Sequence, residues 1–429
     1  MDKNTAIKNT IAATRERHTN MVCRVFEVKI ISGKLSKTKK SLLDQYFLEG
    51  KWLRNSELAK GDINSLDRKT KTARVKVGDV FEERPLNILG SQVKQDIVDS
   101  IKSEIKGLST KKSKGEKVGR LKFKSFCNSI PLRQYGTTYN INFKNNTVTI
   151  QNMSNYPLKV RGLKQIPKDA EIANARLVRK PSGYYIHITT FSTSERVSTG
   201  AMRGIDFGID TNMTFDNGEK INIEVPEIKG VILASQKVNK AFKRNGGNKS
   251  KNHHKRTKKL CRAYEHQTNI KHDKANKIVS HILNENDLVA IQDEMIAAWH
   301  HGIFGKQVQH SAMGYIKAKL KTNSKTIVVP ASFPSTQKCP ACGKNTKHPL
   351  SNRSFECSHC GYTHPDRDIK AANMILIEAL EIASNDIVSM ERRTKSPAEV
   401  RPADDCIDSP FAMNAVVKVP PVKQEAHVL

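Results

Sequence analysis

Apolar residues change their spacing several times along this chain of 429 residues. The first twenty, MDKNTAIKNTIAATRERHTN, hold no dependable period, so 1–20 reads as a flexible N-terminus. VCRVFEVKII, from Val22 to Ile31, is rich in β-branched residues and predicts a strand. From Leu35 to about Lys106 apolar positions recur at three and four, as in KSLLDQYFLEGKWL and ILGSQVKQDIVDSIKSEI, which predicts helices. A Lys/Gly/Ser stretch, GLSTKKSKGEKVGRLKFKS, follows. From Ile130 to Phe191 alternation predicts strands, with TYNINFKNNTVTIQN folding as two around an Asn-Asn turn. Composition groups the Val22 strand with these. The expected layout is a β domain over 21–34 and 128–198 with a helical block, 35–127, inserted into it.

Beyond a polar linker, STSERVSTGAM, the pattern turns to mixed α/β. RGIDFGID, MTFD and KINIEV predict a three-strand meander, and a basic helical stretch runs from Val238 to Leu283. A buried strand, DLVAIQ, a helix over Gln307–Leu320 and another strand, KTIVVP, come next. After a cysteine-rich interruption a last helix begins near Asp366. The end of the chain, 386–429, with SPAEVRPADD and VPPVKQEAHVL, reads as a disordered tail.

Charge changes this picture most. Lys and Arg number 73 against 42 Asp and Glu, a formal net charge of +31. Self-repulsion of that size destabilises a compact chain, so an external polyanion is expected. No run approaches the ~18 apolar residues of a membrane span, and the N-terminus lacks the apolar core of an export signal. Nucleic acid, no membrane and a cytoplasmic setting follow. The positive charge is concentrated twice. Lys102–Lys124 holds nine Lys/Arg against two Glu, including Lys111, Lys112, Lys114, Lys117 and Arg120. Gln236–Lys259 holds ten with no acid: among them Lys243, Arg244, Lys249, Lys251, Lys255, Arg256, Lys258 and Lys259. Both read as phosphate-binding tracks, the alternative being solvated helix faces. Phe123, Phe126, Tyr135 and Tyr139 lie in or just after the first run, as base-stacking groups or as core.

Four of the eight cysteines form two knuckles, Cys339/Cys342 and Cys357/Cys360. Each C-x-x-C turn aims two sulfurs at one point, and two such turns supply four thiolates to one tetrahedral zinc. Gly343 and Gly361 each follow a second cysteine, where the turn tolerates positive φ best. Such a closed site has no open position, so its role is structural. Acidic candidates are fewer. Asp206 sits on a predicted strand with Ile205 and Phe207 facing the core, and Gly208 beside it leaves room for a phosphate. Glu294 follows the apolar strand, and Asp368 opens the last helix. Hydrolysis of a phosphodiester by two metals needs carboxylates that hold both cations about 3.5–4 Å apart.

Taken together, RGIDFGID, AIQDEM, the two C-x-x-C pairs and DRDIKAANMIL resemble the RuvC-type nuclease of the TnpB family of transposon-encoded RNA-guided endonucleases, specifically over Met202–Leu376. The resemblance implies an RNase H-like nuclease domain over 199–338 and 362–385, holding a zinc module at 339–361. Upstream it implies a β-barrel-like wedge domain with a helical recognition block. Asp206, Glu294 and Asp368 would be catalytic ligands of two Mg²⁺, one shared by Asp206 and Glu294 and the other by Asp206 and Asp368. Cys339, Cys342, Cys357 and Cys360 would hold one structural Zn²⁺. The partners implied are a guide RNA and target double-stranded DNA, with monomer and dimer both open. Glu294 is preferred to Asp293, and Asp368 to Asp366, by their spacing to neighbouring residues. The family's last motif, Asp-x-Asn-Ala-Ala-x-Asn, is broken here by Lys370 and Met374. A miniature type V CRISPR effector with the same chemistry, a cleavage-deficient RNA-guided regulator and a guide-independent flap nuclease are the alternatives.

Overall fold

A computed structural model describes residues 3–19, 21–193, 198–223, 225, 229–349 and 351–393. They fall into two compact units that meet in the chain at Glu195 and Arg196.

The first unit runs α1 (Lys3–Thr19), β1 (Val22–Ile30), α2 (Lys37–Leu58), β2 (Thr72–Val77), β3 (Val80–Pro85), α3 (Ser91–Ser113) and β4 (Ser129–Leu132). It continues with β5 (Tyr139–Asn142), β6 (Thr147–Ile150), β7 (Leu158–Arg161), β8 (Glu171–Lys180) and β9 (Gly183–Ser192). Seven strands form one antiparallel sheet in the order β4-β8-β9-β1-β7-β6-β5. Strand β1 pairs with β9 (Val28 opposite Ile186) and with β7 (Lys29 opposite Arg161). The early strand therefore does belong to the later β unit, with α2 and α3 inserted in sequence. Asn146 takes φ 50° in the Asn-Asn turn between β5 and β6, as a left-handed turn residue should. Helix α2 starts at Ser36, whose hydroxyl accepts from Lys39 N at 3.2 Å. Its Leu43, Tyr46, Phe47 and Leu53 share a core with Val93, Ile97, Val98 and Ile101 of α3 and with Val28, Ile130 and Ile186 of the sheet.

Two differences from expectation concern local signal. Residues 3–19 form a helix rather than a flexible arm. It gains tertiary support that periodicity could not show: Arg17 pairs with Glu171 at 2.8 Å and His18 stacks on Phe191 at 3.7 Å. The helical block also contains a hairpin, β2–β3, in which Val77 pairs with Val80 and Gly78 has φ 62°.

The second unit runs β10 (Met202–Phe207), β11 (Met213–Phe215), β12 (Lys220–Ile221), α4 (Lys229–Arg244), α5 (Lys251–Glu285) and β13 (Leu288–Gln292). Then come α6 (Ile296–Trp299), α7 (Gly305–Ser311), α8 (Met313–Lys321), β14 (Thr326–Val329), β15 (Phe355–Glu356), β16 (Thr363–His364) and α9 (Arg367–Arg393). Five strands form a mixed sheet in the order β12-β11-β10-β13-β14. The meander β10–β11–β12 is antiparallel, while β10, β13 and β14 are parallel. Consecutive residues of β13 enter different cores, as the two-residue period of a strand requires. Val289 and Ile291 join Ile205, Phe207, Ala275, Ile282, Met313 and Ile316 on one face. Ala290 joins Val329, Ile375 and Ala379 on the other, which α9 covers.

The basic stretch expected as one helix is two, turned at Gly246 and Gly247 with φ 56° and 82°. The helix expected over Gln307–Leu320 is likewise divided at Ala312, φ 60°. The expected tail begins within α9, and 394–429 lies outside the described residues. No described helix is long and apolar enough to cross a membrane.

Candidate functional site: an acidic crevice and a cysteine knuckle

Strand register sets the acids. Ile205 lies opposite Ile291 in the parallel pair β10/β13, so Asp206 is level with Gln292. Glu294 follows two residues on, in phase with Asp206 and just past the strand end. Helix α9 crosses this face with Asp368 in its first turn. The close approach is made possible by Gly204: a Cβ there would lie 2.1 Å from the carbonyl oxygen of Ala372. The small pair Ala371 and Ala372, both fully buried, answers it on the helix. Crevices at the carboxyl ends of parallel strands are where ligands bind in open α/β sheets.

The three acids lie near enough to feel one another's charge. Burial, then the fields of Glu294 and Asp368, raise the Asp206 carboxyl well above its ordinary range, partly offset by Arg367 and Lys370. Burial raises Glu294 to about 7 against the attraction of Lys317, and its Oε2 is buried with no hydrogen-bond partner. Asp368 lies 3.5 Å from Arg353 and 3.7 Å from Arg367. The competing acids are engaged elsewhere. Asp293 is exposed and bonded by Lys321 at 2.8 and 2.9 Å. Asp366 caps α9, accepting from the backbone N–H groups of Asp368 (2.9 Å) and Ile369 (3.1 Å). Its own Lys220 partner completes that role.

Such a cluster of carboxylates, with an orphaned oxygen and raised proton affinity, has the hard oxygen donors that divalent cations such as Mg²⁺ take. Among the described residues the three acids do not bring one oxygen each within 4.8 Å of one another; the four cysteines do so with their sulfurs. Gly208 serves a different purpose from the one expected. A Cβ there would meet the Thr211 carbonyl oxygen at 2.7 Å, so the turn after β10 requires the glycine.

In the cysteine knuckle Cys339 and Cys360 sulfurs are 3.7 Å apart, and those of Cys342 and Cys357 3.6 Å. Four thiolates at ~2.3 Å from a tetrahedral zinc stand about 3.8 Å apart, so the donor set fits a structural ion of that kind. Gly343 and Gly361 adopt φ 70° and 72°. Each donates its N–H to the carbonyl of the first cysteine of its turn at 3.0 Å. Buried Phe355 supports the knuckle from β15.

The two basic tracks are solvent-facing. Lys111 and Lys112 end α3, and Lys114, Lys117 and Arg120 continue along an irregular segment, all exposed. Lys243 and Arg244 end α4, Lys249 lies in the turn, and Lys251, Lys255, Lys258 and Lys259 are exposed on α5. Arg256 is half-buried and donates to the Lys237 carbonyl at 3.1 Å. Of the aromatics, Phe123 and Phe126 are 64% and 61% exposed, whereas Tyr139 is buried and donates to the Ala173 carbonyl at 3.0 Å. Asn55 fixes this segment by bonding both the N–H and the carbonyl of Lys124.

Sequence reasoning missed Gln292 and Lys370, which are buried beside the acids. The sequence signal for Lys370 was its departure, with that of Met374, from the family's last motif.

Two family models match parts of this chain. Residues 185–298, carrying Asp206 and Glu294, match the family described as "Probable transposase" (OrfB of IS605). Residues 311–375, carrying the four cysteines and Asp368, match "Cas12f1-like, TNB domain". A protein of Streptomyces pristinaespiralis named "Putative RNA-guided DNA endonuclease" is 28% identical over 234 residues, covering 52% of this chain. The chain spans 57% of the length of that relative. A solved Cas12f1–sgRNA–target DNA complex aligns with a TM-score of 0.45 at 12% identity, over 83% of this chain and 99% of the other, a likeness too distant to support inference. One family match thus spans the strands that lead to the first two acids, and the other spans the knuckle and the third.

Proposed function

We propose that this chain is an RNA-guided DNA endonuclease whose acid crevice hydrolyses the phosphodiester bond. The observation that carries the reading is the convergence of Asp206, Glu294 and Asp368 at the carboxyl edge of β10 and β13, with Asp206 under the fields of the other two. The strand order, 3-2-1-4-5 in chain order for the second unit, supports the reading of an RNase H-like core. In this reading the first unit is the wedge-like sheet with its helical recognition insert.

Asp206, Glu294 and Asp368 would hold two Mg²⁺; when bound, these activate water and stabilise the leaving oxygen. The chain's own part is to keep the three carboxylates on one face and their acidic neighbours out of the way. Lys321 holds Asp293 away, and the cap on α9 holds Asp366 away. Cys339, Cys342, Cys357 and Cys360 would hold one structural Zn²⁺. The exposed lysines of both tracks would bind phosphates, while base pairing between guide and target supplies sequence choice. The "Cas12f1-like" match favours one further reading, a miniature type V effector with the same chemistry.

The test is to purify the protein from its native locus and sequence the RNA that accompanies it. A discrete structured RNA from a transposon end supports the first reading, and one from a repeat array the second. Absence of any discrete RNA sinks the guided function.

A further inference from the structure

Lys370 is 1% exposed, a rare place for an ammonium group. Its Nζ donates to three carbonyl oxygens, those of Ser335 at 2.9 Å, Thr336 at 2.8 Å and Lys338 at 3.0 Å. It also stands 4.1 Å from the ring centre of Phe355. All three of its hydrogens are thus used on the segment that leads directly into Cys339. A buried charge persists only where such bonds replace water, so the lysine and this segment depend on each other.

The same segment is held a second time. Gln292, 4% exposed, donates from Nε2 to the Phe333 carbonyl at 2.6 Å, and its Oε1 accepts from the Ser335 hydroxyl at 2.9 Å. The two clamps occupy corresponding places. Gln292 ends β13 two residues before Glu294, and Lys370 lies two residues after Asp368 on α9. One stretch of main chain, 333–338, is therefore tied at its end to the cysteine knuckle and along its length to the elements carrying two of the three acids. Phe355 adds a direct contact, since it shares the knuckle's core with Cys339 and Cys357.

We propose that Gln292 and Lys370 are positioning residues that couple ion binding in the four-cysteine knuckle to the alignment of Glu294 and Asp368. The coupling passes through segment 333–338. Its acid end rests on the function proposed above; its knuckle end does not. Because coupling free energies are reciprocal, loosening either end loosens the other.

The experiment uses full-length, zinc-loaded protein with its RNA. Zinc release to the chromogenic chelator 4-(2-pyridylazo)resorcinol is timed for wild type, Lys370→Met and Gln292→Leu. Residues that orient metal ligands are worth roughly 10- to 100-fold in metal affinity, and zinc release should quicken within that range in Lys370→Met. Should that variant fail to fold, Gln292→Leu should still release zinc faster than wild type. Unchanged release in a folded variant overturns the proposal. Mn²⁺ binding at the acids, followed by electron paramagnetic resonance, reads the other end. In wild type, zinc removal should weaken Mn²⁺ binding; in Lys370→Met, zinc removal should make little further difference. A purely structural lysine would leave the zinc effect at full size, which also overturns coupling. Zinc-loaded wild type that binds no Mn²⁺ would refute the reading of the acids, and the coupling with it, whatever the zinc-release rates.

Discussion

A single methyl group at position 204 would test whether α9 must lie directly on β10. The Cβ of alanine there would stand 2.1 Å from the Ala372 carbonyl oxygen and 2.9 Å from the Leu376 Cβ. Ordinary contact begins at 3.4 Å, so the first approach is short by 3.4 minus 2.1, or 1.3 Å. Neither neighbour is the far end of a flexible side chain, so the helix or the strand itself has to move. Asp206 is on the strand and Asp368 on the helix, and their separation changes with that movement. Overpacking of this kind costs about 1–3 kcal/mol of stability. A misplacement of about 1 Å costs on the order of 100-fold in rate. Single-turnover, Mg²⁺-dependent DNA cleavage by the RNA-loaded complex should therefore fall about 100-fold in Gly204→Ala, with a modest drop in melting temperature. Gly119→Ala, where nothing lies within 4 Å of the added carbon, is the control. A Gly204→Ala protein with wild-type rate and melting would refute both the close packing and its role in aligning the acids.

Three further outcomes follow from other parts of the chain. Cys342→Ser should abolish stoichiometric zinc by atomic emission and lower the melting temperature, since structural zinc contributes ~10–16 kcal/mol in small units; unchanged melting would refute the structural role. Burial raises the Asp96 carboxyl to about 6, against Arg133 and with help from Asp99. Its folded pKa lies above the ordinary 3.8, so stability is lost as pH rises from about 4 to 6. Asp96→Asn should then melt higher than wild type at pH 7, with the gap closing near pH 4; a gap independent of pH would contradict this. Replacing Lys249, Lys251 and Lys255 by Gln should flatten the salt dependence of nucleic-acid binding by up to roughly 2–3 units of log–log slope. An unaltered slope would make that stretch a solvated face.

The positions of the candidate acids and cysteines were more legible in the sequence than the packing around them. Apolar strands around Asp206 and before Glu294 showed where each acid would sit, because a two-residue period fixes which side chains share a face. Two C-x-x-C turns showed the knuckle for a similar local reason. Which acid of each neighbouring pair faces the crevice was suggested by spacing, and the structure supplies a physical reason: Asp366 caps a helix and Asp293 meets Lys321. What stayed hidden was tertiary. Gly204 looks like any strand glycine until α9 is laid on it, and Lys370 reads as an ordinary charged helix residue until the carbonyls of 335, 336 and 338 surround it. Helix α1 has a polar sequence whose order comes from Arg17 and His18 meeting partners more than 150 positions away. The hairpin β2–β3 alternates, yet it lies between two strongly helical stretches whose period masks it.

Guided binding and cleavage, measured side by side on one RNA-loaded preparation of wild type and Asp206→Ala, bear most directly on the central claim. Cleavage of matched DNA in Mg²⁺ should be lost in the variant while its affinity for the same DNA stays close to wild type. Cleavage by the variant at the wild-type rate would show that the acid crevice is not where the bond is broken.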